Sequence, residues 1–250
     1  MADTPAHRPV LAPFDAQQDM RDAPRVGSGS RMRPKDAATV IIVRDRSSAS
    51  GLRTPSVLMG RRAAGHVFMA SKWVFPGGRI ERADHRAASA TDLEDRSAAL
   101  LGREVSPSRA RALALAAVRE TFEETGLVLG RAAPVASVGG PWREFRALGA
   151  LPDLSALDYV ARAITPPGRT RRFDARFFMA DAETLMSKDQ ISGSGELDEI
   201  AWIPLDEARA LELPAITRFV LAEVAERLHQ PDRPLPFVRM VAGKHVVSYD

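Results

Sequence analysis

The chain of 250 residues contains no cysteine. That absence excludes disulfide staples, thiolate nucleophiles and cysteine-ligated metals together. Histidine is scarce: the five residues His7, His66, His85, His229 and His245 are scattered, so a histidine-rich metal site is not expected. Any metal must be held by oxygen or histidine ligands, and oxygen ligands favour Mg²⁺ or Mn²⁺ over Zn²⁺. Aromatic residues make up only 6% of the chain. No apolar run approaches the roughly 18 residues of a membrane span. The N-terminus also lacks the apolar core of a signal peptide, so a cytoplasmic location without membrane contact is expected. Charge of one sign is not in large excess, the formal net charge being +3. An anionic small molecule fits that balance. Nucleic-acid binding would need the positive charge gathered on one face.

Residues 1–36 are punctuated by Pro5, Pro9, Pro13, Pro24 and Pro34 and keep no hydrophobic period. They are expected to be a disordered N-terminal tail. One domain is expected over residues 37–250, with an insertion at about 85–106. Ala38–Arg44 and Ser56–Arg61 are short and rich in apolar residues and read as paired strands. Trp73–Phe75 leads into a Pro76-Gly77-Gly78 turn, and Asp84–Val105 reads as one loosely packed helix with flanking loops. Ser106-Pro107 opens a second helix, with Ser as N-cap and Pro at its first position, and Gly126 closes it. Leu157–Ile164 and Phe173–Ala180 read as strands about a Thr165–Thr170 turn. Ile200–Ile203 is a further strand, Pro204–Ala210 a short helix, and Ile216–Leu228 an amphipathic helix. Phe237–Val241 and His245–Ser248 end the chain as strands. Strands interleaved with helices imply an α/β sandwich with a mixed sheet.

The informative segment is Arg119-Glu120-Thr121-Phe122-Glu123-Glu124-Thr125-Gly126-Leu127. On a helix, Glu120, Glu123 and Glu124 share an arc of about 100°. Three acids in one turn repel each other, and they stand in the last turn, where the helix dipole disfavours anions. A divalent cation removes both objections. Arg119 is one turn before Glu123 and able to pair with it.

Trp73-Val74-Phe75-Pro76-Gly77-Gly78 followed by RETFEETGL resembles the two halves of the box that marks Nudix hydrolases. Arg119, Glu120, Glu123, Glu124, Gly126 and Leu127 match its second half, and Gly77 and Gly78 its first. Thr121 stands where the box has a hydrophobic residue, and Asp84 where it has its first glutamate. Asp84 and Arg119 have 34 residues between them where the box has 7. Extra loop length costs little if its ends stay close. The interrupted box is similar to the coenzyme A-type branch of the family. So is Ile164-Thr165-Pro166-Pro167 through Arg171-Arg172-Phe173-Asp174-Ala175-Arg176-Phe177-Phe178. The coenzyme A signature before the box is not reproduced, since Val67 and Ser71 stand at its Arg and Gly. Arg61–Ala64 through Met69–Lys72 instead resembles the MutT branch.

The resemblance implies a Nudix-type α/β/α sandwich with a loop-helix-loop catalytic motif. It implies Mg²⁺ or Mn²⁺ on Glu120, Glu124 and the Gly77 carbonyl, with Glu123 as a further ligand or the group that activates water, and Arg119 orienting it. Glu196, in the Gly193–Glu196 loop, is an alternative base beside Asp198 and Glu199. Arg62, Arg172 and Arg176 are candidates for binding phosphate, since strand alternation puts Arg172 and Arg176 on one face. Trp73 is read as core or as a base-stacking residue. The expected reaction is cleavage of a phosphoanhydride bond in a nucleoside diphosphate-linked substrate, coenzyme A or an acyl derivative leading. Sanitation of an oxidised nucleoside triphosphate and a non-catalytic, ligand-sensing regulator stay open, as does a homodimer built on the insertion.

Overall fold

The computed structural model describes residues 14–22, 32–44, 54–63, 71–186 and 195–249. His66, Val67, Gly193 and Ser194 lie outside them.

The central strand is β1 (Lys35–Arg44), whose Val40 to Val43 are wholly buried. A strand buried on both faces reads as a continuous apolar run. It runs parallel to β8 (Phe173–Asp181), Lys35 opposite Phe173 through Val43 opposite Asp181. Its other edge is shared. The N-terminal half pairs with the short β4 (Gly77–Arg79), and the C-terminal end pairs antiparallel with β2 (Ser56–Arg62). Strand β2 also pairs with β3 (Trp73–Val74) and β9 (Leu197–Pro204). Beyond β8 lie β7 (Asp158–Ile164), β10 (Pro236–Val241) and β11 (Lys244–Tyr249), giving the order β11-β10-β7-β8-β1-β2-β3. The parallel β1/β8 and β7/β10 pairs among antiparallel ones make the sheet mixed, as expected.

Alternation along β1 builds two cores. Ala38, Val40 and Ile42 face α2 (Asp95–Gly102) and α3 (Pro107–Thr125), while Ile41 and Val43 face α5 (Leu205–Ala208) and α6 (Ala215–Arg227). The sheet is thus a layer between helices. Helix α3 begins with Pro107 at its first turn and stops at Gly126, whose φ of 75° is open to glycine at little cost. Ser106 precedes it in extended conformation, but its side chain makes no capping hydrogen bond. Among the described residues, no helix is long and apolar enough to cross a membrane.

Three segments depart from expectation. Ala16–Asp22, inside the expected tail, forms helix α1, and Phe14 before it packs on Phe219 of α6. The stretch after α3 folds into a hairpin of β5 (Gly130–Ala132) and β6 (Ala150–Pro152), with helix α4 (Arg143–Ala147) in its connection. Phe145 of α4 is wholly buried against Phe122. Within the expected insertion the helix is α2, shorter than read. Ser97 fastens it to the sheet by donating to the Leu157 carbonyl (3.0 Å) and accepting from the Tyr159 amide (2.9 Å). Together α2 and the hairpin cover α3, so Ala112 to Val118 are all buried and the helix has no broad solvent face.

Candidate active site

Strand β4 lies so close to β1 that a side chain at position 77 would overlap the Ala38 carbonyl and the Thr39 hydroxyl. At position 78 a Cβ would overlap the carboxylate of Glu120. Two glycines therefore let the end of α3 press on the sheet. The Gly77 amide donates to Glu124 Oε2 at 3.0 Å. Glu120 rests on Gly78, and Glu123 lies one residue before Glu124 on the same helix.

Arg119 is the cation inside this group, and all five of its N–H donors find acceptors. Nε meets Asp84 Oδ1 (2.9 Å), and Nη2 meets Asp84 Oδ2 (3.0 Å) and the Arg79 carbonyl (2.9 Å). Nη1 meets Glu120 and Glu123, each at 2.9 Å. The guanidinium orientation is thereby fixed. The expected Arg119–Glu123 pairing is present, but the fully buried Asp84 is the main anchor.

Burial dominates the electrostatics. It pushes the Glu124 carboxyl up to about 8, against the opposing Gly77 hydrogen bond, with the Glu120 charge adding to the rise and Arg62 opposing it. Glu120 and Glu123 are also raised by burial, against the pull of Arg119. Burial works against the Arg119 charge too, but Asp84 and the glutamates hold it above its ordinary value. One arginine among four acids leaves the patch short of positive charge, the setting in which a cation is stabilised.

Arg62 and Glu196 are both near enough to act on Glu124. Glu196 is exposed at the start of β9. Trp73 packs against the core cluster on the α6 side.

The other two arginines are elsewhere. Arg176, expected to meet substrate, is only 1% exposed. It is held by Asp36 (3.0 Å), Asp174 (3.1 Å) and Glu104 (3.3 Å), with Arg162 paired to the same Asp174 and Glu104. Strand alternation places it on one face with its neighbours, but α2 and the start of α3 cover that face. Arg172 donates to the carbonyls of Thr165 (3.0 Å) and Met32 (2.7 Å), tying the β7–β8 turn to the approach of β1. Arg176 is thus enclosed by carboxylates, and Arg172 is engaged by backbone carbonyls, where phosphate binding was expected of both. Sequence reasoning also missed Trp142, whose indole N–H donates to Asp84 Oδ1 at 3.2 Å. A lone tryptophan 58 positions from its partner gives no periodic signal.

No family model matches the chain. A crystal structure of a Nudix hydrolase from Alicyclobacillus acidocaldarius superposes with a TM-score of 0.57 and 26% identity, covering 78% of this chain and 93% of that one. The chain is similar to Nudix hydrolases in its fold and in the two halves of the box. An acyl-coenzyme A diphosphatase of Gallus gallus is 29% identical across 60% of this chain, which spans 56% of that relative's length. The stretches that resemble the two halves of the box, Gly77–Gly78 and Arg119–Leu127, are in contact although α2 and its flanking loops lie between them in sequence.

Proposed function

We propose that the chain is a metal-dependent hydrolase that cleaves the phosphoanhydride bond of a nucleoside diphosphate-linked substrate, with coenzyme A or acyl-coenzyme A the leading candidate. The observation that carries this reading is the desolvated acid cluster packed on Gly77–Gly78. The interrupted box and the TPP…RRFDARFF stretch support the coenzyme A preference. So does the likeness to a relative named acyl-coenzyme A diphosphatase, although this chain spans just over half of it.

The donor set fits Mg²⁺ or Mn²⁺. The oxygens are hard, the carboxylates are raised by burial for want of positive charge, and no cysteine competes. Among the described residues no three acidic or imidazole side chains close into a cage. An ion that keeps several waters and takes substrate phosphate oxygens suits such an open set. Glu120, Glu124 and the Gly77 carbonyl would hold it. An ion bound there would lower the pKa of the attacking water and would neutralise charge building on the phosphates.

The chain's own groups do the rest. Arg119 orients Glu120 and Glu123. Glu123 or Glu196 takes the proton of the water that attacks phosphorus, the bridging oxygen leaving with the other phosphate. Arg62 neutralises a phosphate from the β2 side. Burial around Glu124 limits water beside the reacting groups.

The test is a panel with Mg²⁺ or Mn²⁺: coenzyme A, acyl-coenzyme A, ADP-ribose, NADH, diadenosine polyphosphates and 8-oxo-dGTP, with products identified by mass spectrometry. The expected products are 3′,5′-ADP and a 4′-phosphopantetheine species, with kcat down about a hundredfold in Glu124→Gln. Nucleoside monophosphate and pyrophosphate from 8-oxo-dGTP alone would make it a sanitising enzyme. No turnover, with calorimetry showing equal or no metal binding by wild type and Glu124→Gln, would make it a ligand-binding module.

A further inference from the structure

Asp84 is wholly buried, and its two carboxylate oxygens receive four donors. Oδ1 takes Arg119 Nε and Trp142 Nε1, while Oδ2 takes Arg119 Nη2 and the Glu81 amide (2.8 Å). Of these, only Trp142 comes from outside the loop and helix of the box. It stands just before α4, in the connection between β5 and β6. Its ring packs edge-on against Phe145, at 5.4 Å and 78°, and Phe145 packs edge-on against Phe122 of α3, at 5.3 Å and 84°. The connection is thus docked on α3 by two separable means. One is the aromatic stack, which only packs. The other is a hydrogen bond to the anchor of Arg119.

Resting on the function proposed above, we infer that Trp142 is a positioning residue for the acid cluster: its indole N–H fixes Asp84, which sets the Arg119 guanidinium that Glu120 and Glu123 share. Every Arg119 donor is committed, so a tilt of Asp84 is passed to both glutamates. Aspartate is one methylene shorter than the glutamate of the usual box. Here the indole supplies a donor on the side of Asp84 away from Glu81. Without it, Oδ1 keeps a buried lone pair facing no N–H, and Asp84 must rotate or admit water.

Trp142→Phe keeps the stack and deletes the donor. The expected result in the intact protein is Mn²⁺ affinity about tenfold weaker by calorimetry without substrate and, in turnover, kcat lower by about the same factor with KM within about twofold. Ser97→Ala loosens the same core away from Asp84 and should lower Tm while leaving Mn²⁺ affinity unchanged. Wild-type affinity and kcat in Trp142→Phe would overturn the inference and leave the hydrolase reading intact. A wild type that neither binds Mn²⁺ nor turns over any substrate would overturn both. Should Trp142→Phe not fold, the indole proton of Trp142 can be followed by NMR in ¹⁵N-labelled protein, assigned by elimination with Trp73→Phe and Trp202→Phe. It should be slow to exchange and should shift on addition of Mg²⁺, and a resonance that saturating Mg²⁺ leaves in place would sink the proposal.

Discussion

At the scale of single residues, helical period and charge made the site legible. Glu120, Glu123 and Glu124 had to share a face once Pro107–Thr125 was helical, and three acids at a helix C-terminus are costly unless something compensates. The cost is concentrated in Glu124, whose carboxyl is pushed up to about 8 by burial. Its unfolded value is about 4.3. A group raised on folding contributes stability that is complete below the unfolded value and is lost as pH rises through the folded one. In chelator, wild-type protein should therefore lose stability relative to Glu124→Gln between about pH 4.5 and pH 8, by roughly 1–3 kcal/mol, while the two converge near pH 4. Urea denaturation across that range measures it, and equal slopes with pH for the two proteins would refute it. What charge and period did not reveal is the anchor. That Asp84 would hold Arg119, and Trp142 hold Asp84, depends on contacts across 35 and 58 positions, which no local pattern encodes.

At the scale of elements, strand and helix types were legible wherever burial imposes a period, and their bounds moved by three residues or fewer for β1, β8, α3 and α6. The hairpin of β5 and β6 and helix α4 were not, because their strands are three residues long and α4 spans five. Period also says which residues share a face without saying what covers it, and that is why Arg176 was read as a phosphate ligand. In the structure it fastens elements together. With Arg162 it joins Asp36 of β1, Asp174 of β8 and Glu104, which follows α2. Tyr159 of β7 donates to Glu104 at 2.9 Å, and burial holds its phenol above the usual range. Removing one member of a buried charge group strands the rest. Arg176→Ala should lower stability by about 3–5 kcal/mol, while KM in the folded fraction stays within about twofold. A large rise in KM at unchanged stability would return Arg176 to the substrate site.

At the scale of the whole molecule, a layered α/β architecture followed from the order of strands and helices. The neighbours in the sheet did not, since the parallel β1/β8 contact joins residues more than a hundred positions apart. The N-terminal segment shows the same limit. Its prolines and the lack of a hydrophobic period argued for a tail, yet Phe14 packs between Phe219 and His245, and Asp19 accepts from Arg169 Nη2 at 2.9 Å and lies 3.2 Å from His245 Nε2. These contacts lie on the α6 side of the sheet, while the acid cluster is on α3, across it. Deleting residues 1–31 would expose Phe14's seat and strip the buried Arg169 of its partner, which should cost roughly 1–3 kcal/mol of stability. It leaves Met32, whose carbonyl Arg172 holds, and the groups that touch Gly77 or Glu124 among the described residues. Sites well apart with no shared partners behave additively, so kcat/KM of the folded truncated protein should stay within about twofold of wild type. Thermal denaturation together with turnover at a temperature where both proteins are folded measures the two effects separately. A loss of turnover without a fall in Tm would mean that α1 acts on the site through the sheet, and that the two faces are coupled.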